Sequence, residues 1–140
     1  MIIKKIGVVI YYKDKNNIYF LILHRVLRWV GWEILKGSIK NNENPLHALK
    51  RELKEEINIK NFKVIKKINK QIKFKWDHNN VIINNIFLVK IDKNSKIILN
   101  KNTRKEHDGH LWVNKQKDIK ILTWNNTKTL LKGLNRNLFK

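Results

Sequence analysis

Three glutamates, Glu52, Glu55 and Glu56, fall within five consecutive positions of the stretch from Gly37 to Ile59, GSIKNNENPLHALKRELKEEINI. On a helix, positions i, i+3 and i+4 share one side, within about 100° of arc. Three carboxylates held that close repel one another unless a cation sits among them. Oxygen donors of this hardness favour Mg²⁺, Mn²⁺ or Ca²⁺ over Zn²⁺. The plainer reading is a solvated face, since most charged helix faces carry no chemistry. Such faces, however, pair Glu with Lys at i+4. Here Glu52 meets Glu56 at that spacing and Glu55 meets Ile59, while only Glu56 has a lysine, Lys60, past the helix end.

The elements around the trio follow from local signals. Asn44 is a good N-cap, and Pro45 suits the first helical position, where its missing N–H costs nothing. Leu46, Leu49, Leu53 and Ile57 form one apolar stripe, with the glutamates beside it, at the edge of a cleft rather than opposite the core. Asn58 ends the helix in a residue that tolerates the left-handed conformation. Before the helix, Ile3 to Lys13 and Ile18 to His24 read as strands joined by a turn at Asp14–Asn17. Arg25 to Gly31 is a loop, and Trp32 to Leu35 a short extended piece. After the helix, Phe62 to Phe74 and Val81 to Ile91 read as two long strands around a turn at Asp77–Asn80, with a short strand at Ile97–Leu99. Glu106 and His107 fall in a loop before a strand at Leu111–Val113. Thr123 to Phe139 reads as a closing helix with Leu130, Leu131, Leu134 and Leu138 inward. Strands with one central and one terminal helix give an α/β class, a mixed sheet between helices.

Composition bounds the rest. The chain has 140 residues, about one domain (1–140). Its 42% hydrophobic content and five Trp are enough for a core, and it has no Cys, which excludes disulfide and thiolate chemistry. No run of about 20 apolar residues exists to span a membrane, and the N-terminus lacks signal-peptide features, so the cytoplasm is the default expectation. The formal net charge of +20 has two readings. One is a polyanionic partner, RNA or a polyphosphate nucleotide. The other is compositional drift toward Lys, Asn and Ile, whose codons are AT-rich, and this is taken as the main cause. Lysines are spread from Lys4 to Lys140 and favour an anionic substrate in either case.

The fixed positions Gly37, Glu43, Arg51-Glu52-Leu53 and Glu55-Glu56 resemble the signature of the Nudix hydrolase superfamily; the late Gly of that pattern is Asn58 here. The resemblance implies a Nudix fold, an α/β/α sandwich with a mixed central sheet over the whole chain. Magnesium, or Mn²⁺, would then bind Glu52, Glu55 and Glu56, with the Gly37 carbonyl as a further ligand, while Glu43 and Arg51 tie the loop to the helix. Trp32-Glu33, Lys36-Gly37 and Glu106-His107 with Trp112 resemble segments of diadenosine tetraphosphate hydrolases, although Leu35 and Ser38 depart from their usual residues. The implied reaction is hydrolysis of a phosphoanhydride in a dinucleoside polyphosphate, diadenosine tetraphosphate giving ATP and AMP. Glu52 is the first choice for general base; Glu106 is the other candidate, as base or outer ligand, and its plainer reading is an exposed loop acid. Lys36 would contact a phosphate, and Trp32, Phe74 and Trp76 are candidates to stack on a base, although aromatics are more often core. His24 and His107 read as ordinary strand-end and loop histidines. The partner expected is a small nucleotide, with RNA less favoured, no membrane, and the chain a monomer. Two alternatives stand beside this: the same chemistry on RNA 5′ ends or nucleoside triphosphates, and a non-catalytic nucleotide- or RNA-binding module.

Overall fold

The structure, a computed structural model, describes residues 4–76, 78–99 and 105–140. It opens with β1 (Lys5–Asp14), β2 (Asn17–Arg25), β3 (Gly31–Glu33) and β4 (Leu35–Ser38), followed by α1 (Pro45–Ile57). Then come β5 (Lys63–Ile68), β6 (Ile72–Trp76), β7 (Asn79–Ile83), β8 (Asn85–Lys90) and β9 (His107–Asn114). A short 3₁₀ turn (Ile119–Ile121), α2 (Asn125–Lys132) and a second 3₁₀ turn (Arg136–Phe139) close the chain.

Seven strands form one sheet in the order β3-β2-β1-β8-β5, with β4 also beside β1 and β9 beside β2. β1 and β8 run parallel and the other pairs antiparallel, so the sheet is mixed. Alternation along β1 divides the core between the two faces. Ile6, Val8 and Ile10 meet Leu49, Leu53 and Ile57 of α1 on one side. Val9 and Tyr11 meet Leu130, Leu131 and Phe139 on the other. This is the α/β/α sandwich with a mixed central sheet that the sequence resemblance implies.

A fork in the sheet positions the site. β1 pairs with β2 only from Tyr11 to Asp14; over Lys5–Val8 it pairs instead with β4. β2 meanwhile takes β3 as its partner at Leu23–Arg25. The two strands part, and the chain between them carries Glu33, Lys36 and Gly37 into the gap.

Helix α1 is fixed by its ends. Asn44 Oδ1 accepts from the His47 N–H at 2.8 Å. Asn58 takes φ 59° and ψ 38°, and its N–H reaches the Lys54 carbonyl at 3.1 Å. Two rows run along its buried side, Leu49–Leu53–Ile57 and Ala48–Glu52–Glu56. Leu46 was expected in the stripe but is 49% exposed; the four-residue ladder that faces the sheet starts at Ala48 and leaves the first turn in water. Each buried Leu or Ile of that face contributes up to about 1.5–3 kcal/mol.

Other expectations needed correcting. The two long strands are each broken, β5 from β6 at Asn69–Gln71 and β7 from β8 at Asn84. The bend lets β6 and β7 leave the sheet as a separate two-stranded ribbon and bury Ile72 and Ile83 on the α2 side. Asn126 Nδ2 donates to the Lys73 carbonyl at 2.7 Å and fastens the ribbon there. Ile97–Leu99 is not a strand: the Ile98 N–H bonds the Ile57 carbonyl at the end of α1, at 3.1 Å, and no sheet neighbour is offered. His107 begins β9 rather than lying in a loop. The closing helix stops at Lys132, and the chain turns at Gly133 and restarts at Arg136. Asn135 Oδ1 accepts from the Asn137 N–H at 2.9 Å, which starts the new turn instead of continuing the old one. Leu130, Leu131 and Leu134 are buried as the periodicity requires, and Phe139 joins them. Among the described residues no helix is long and apolar enough to cross a membrane.

Candidate active site

A cleft of about 730 Å³ opens at the fork. Glu33, Glu52, Glu56 and Glu106 line it, as do Lys5, Arg25, Arg28 and Lys36, so acids and bases share one hollow. Aromatic surface comes from Trp29, Phe74 and Trp124.

Arg51 organises the helix side. Its Nε and one terminal nitrogen grip Glu43 at 2.8 and 2.9 Å, and the same terminal nitrogen donates to the Ser38 carbonyl at 2.7 Å. The other reaches Glu52 at 2.9 Å and Glu55 at 3.3 Å. One guanidinium therefore clamps the loop before α1 and offsets part of the repulsion among the glutamates. Arg51 precedes Glu55 by four positions, a pairing that counting only the lysines after each glutamate overlooks. The paired guanidinium and the Lys40 N–H hold the Glu43 carboxyl far below the usual range.

Glu52 sits directly over Gly37. A Cβ on Gly37 would land on the Glu52 side chain, 2.6 Å from its Oε1; only glycine leaves the carboxylate this room. Burial pushes the Glu52 carboxyl up to about 7, against the pull of Arg51 and with a further push from Glu56 and Glu55. Glu55 points outward, its side chain 42% exposed. Glu56 is buried and turns toward β9.

The opposite side holds a buried polar network. Glu33 is 2% exposed. Its Oε2 accepts from Arg25 at 3.1 Å and lies 2.8 Å from His107 Nε2, with Lys36 Nζ 3.6 Å from Oε1. Burial raises the Glu33 carboxyl, but His107, Lys36 and Arg25 together hold it below its ordinary value. Lys36 is itself lowered by burial, partly offset by Glu33, and its Nζ lies 4.6 Å from the centre of the Phe74 ring. His107 is 3% exposed, and its Nδ1 is buried with no hydrogen-bond partner, 3.7 Å from Glu56. Burial lowers the imidazole, yet the two flanking glutamates outweigh it and push it up to about 9. Glu106 stands beside it, its backbone carbonyl accepting from the Val26 N–H at 2.9 Å.

Of the residues singled out in the sequence, the cleft brings together Lys36, Gly37, Arg51, Glu52, Glu56, Phe74 and Glu106. Glu43 stands behind Arg51, and Glu55 lies outside the lining. Trp32 is not in the lining either; it packs on the α2-side core with its ring 4.8 Å from His24. Trp76 ends β6, but its side chain falls outside the described residues, as does Asp77. Sequence reasoning assigned no role to Glu33, Arg25, Trp29 or Trp124. Glu33 carried a signal, a lone acid in the apolar run Trp32–Leu35, because a buried charge must be paired. Trp29 and Trp124 come from separate loops and meet edge to face, with ring centres 5.1 Å apart.

The donors here fit a divalent cation. Glu56, Glu106 and His107 each offer one atom within 4.8 Å of the others, and the unpartnered Nδ1 needs something to bind.

The NUDIX domain model matches residues 1–128, and the chain belongs to the Nudix family. It is thus a Nudix hydrolase, a class whose members generally use a divalent metal and act on small nucleotide substrates. Among solved structures it is similar to the Ap4A hydrolase of C. elegans in a binary complex, at 24% identity and a TM-score of 0.79, covering 94% of this chain and 93% of that one. A second structure of the same worm enzyme matches at 25% identity and a TM-score of 0.75, covering 94% of this chain and 95% of that one. The E. coli dihydroneopterin triphosphate pyrophosphohydrolase matches at 18% identity and a TM-score of 0.74, covering 98% and 99%. No curated protein matches the sequence significantly.

Proposed function

We propose that this chain is a magnesium-dependent hydrolase of dinucleoside polyphosphates that splits diadenosine tetraphosphate into ATP and AMP. The observation that carries the reading is a single cleft holding carboxylates for a cation, buried and half-buried lysine and arginine for phosphates, and aromatic surface for a base. The likeness to the worm Ap4A hydrolase supports the same substrate class.

Glu52, Glu55, Glu56 and the Gly37 carbonyl would hold the ion. Bound there, Mg²⁺ neutralises phosphate charge and acidifies a coordinated water. Glu52 takes a proton from the water that attacks phosphorus; the water oxygen bonds to phosphorus as the anhydride P–O bond breaks. Glu106 is the alternative base. Lys36 meets a phosphate oxygen, and Arg51 with Glu43 keeps the Gly37 loop against α1. Phe74 stacks on a base, and Trp124 does so in place of Trp32, since Trp124 lines the cleft and is 41% exposed.

The test is incubation with diadenosine tetraphosphate and Mg²⁺, with products separated by chromatography. Equal ATP and AMP are expected. No turnover, or ADP alone, sinks the reading. The net charge of +20 favours a second one, in which the same chemistry acts on RNA 5′ ends. Many phosphate contacts would make RNA affinity fall steeply with salt; a shallow slope beside brisk dinucleotide turnover excludes it.

A further inference from the structure

His107 is out of place in a site expected to bind its metal through oxygen alone. It begins β9 and is buried between two acids that line the cleft, Glu33 and Glu56. Nε2 lies 2.8 Å from Glu33 Oε2, and Glu33 is itself fixed by Arg25 and Lys36. A histidine that ligates a metal commonly anchors its second ring nitrogen on a carboxylate in this way, which sets the tautomer and aims the first nitrogen. The first nitrogen here is Nδ1. It is fully buried, lacks any hydrogen-bond partner and lies 3.7 Å from Glu56 Oε2, and the imidazole offers a ligand atom within 4.8 Å of oxygens from both Glu56 and Glu106.

We propose that Glu56, Glu106 and His107 form a mixed nitrogen–oxygen site for a divalent cation, with His107 binding through Nδ1 and Glu33 acting as the positioning residue behind it. The inference deepens the proposed hydrolase site and rests on that cleft holding a divalent ion. A cation there balances Glu33 and Glu56 in the way the imidazolium charge does without it. The nitrogen donor shifts the choice of metal: imidazole suits later first-row transition ions such as Fe²⁺ and Zn²⁺ better than Mg²⁺, which prefers oxygen. The site would therefore take a transition ion ahead of magnesium.

The probe is Mn²⁺ alone, added to the metal-free protein and read by pulsed electron paramagnetic resonance. Imidazole ¹⁴N coupling to Mn²⁺ is expected in the wild-type chain, changing to ¹⁵N coupling when the protein is grown with ¹⁵N-histidine. In His107→Asn the coupling is lost and Mn²⁺ binds at least about tenfold more weakly; in Glu33→Gln the coupling remains while affinity falls about 10- to 100-fold. Should His107→Asn fail to fold, a chain with His24, His47, His78 and His110 replaced by Asn must keep the coupling. Bound Mn²⁺ without histidine coupling in the wild-type chain, or coupling that survives in His107→Asn, overturns the assignment. Failure to cleave diadenosine tetraphosphate with the coupling intact would instead refute the substrate and leave this site standing.

Discussion

Replacing Glu52 by Gln should make the metal-free protein more stable at pH 8 and abolish the activity of the magnesium-supplied one. The Glu52 side chain is only 9% exposed, and its carboxyl is raised from 4.5 to about 7, chiefly by burial. A raised carboxyl means that between those two values the folded state binds more protons than the unfolded chain, so stability falls as pH rises through that window. Below 4.5 both states are protonated and there is no penalty; above 7 it is complete. At 1.36 kcal/mol for each tenfold change, the full penalty is about 3 kcal/mol. Gln keeps an oxygen to accept from Arg51 but carries no charge, so the variant escapes the penalty. For a chain of this size the gain corresponds to a rise of about 6 °C or more in Tm. The assay is thermal melting of the metal-free protein at pH 4 and pH 8. Wild type and variant should nearly coincide at pH 4 and separate at pH 8. Added Mg²⁺ should then raise the wild-type Tm more than that of Glu52→Gln, because the ion relieves a charge that only the wild type carries. Equal melting temperatures at pH 8 without metal, or a less stable variant, would refute the electrostatic account of the cleft.

Three further outcomes are expected. Gly37→Ala should displace the flexible Glu52 side chain rather than the backbone, so turnover falls at least about 100-fold, about 2.7 kcal/mol in the barrier, while circular dichroism shows a folded protein; undiminished turnover would contradict the close approach. Asn58→Ala should cost about 1–2 kcal/mol in urea unfolding, because its left-handed φ of 59° penalises a Cβ, whereas Asn58→Gly should match or exceed the wild type. Trp124→Ala should raise KM for diadenosine tetraphosphate about tenfold or more with little change in kcat, as loss of a stacking contact of about 1–3 kcal/mol predicts; an unchanged KM would remove Trp124 from the base-binding surface.

What could be read in advance followed the range of the forces involved. The bounds of α1 were legible because Asn44, Pro45 and Asn58 act within one turn of their own positions. Glu52, Glu55 and Glu56 stood out because their spacing is also local. The breaks at Asn69–Gln71 and Asn84 were not legible: the residues on either side are good strand formers, and it is the burial of Ile72 and Ile83 against distant α2 residues that bends the ribbon. Leu46 was misplaced for a related reason, since periodicity names a stripe but not where the sheet beneath it ends. Glu33 and His107 are far apart in sequence; the apolar run around Glu33 points to its burial, but nothing local names its partner. Their pairing becomes visible only when the fork brings β3 beside β2 and β9 lies along the other edge of β2.

Among the described residues β5 pairs only with β8, so one rim of the sheet offers backbone groups that another chain could join. Lys63, Lys66 and Lys67 stand exposed along it, and the pairing slips between Val64 and Lys66. A second molecule approaching there, rim to rim, would meet its own lysines face on and an uneven ladder. In this way the excess of lysine discourages the stacking of chains into fibrils.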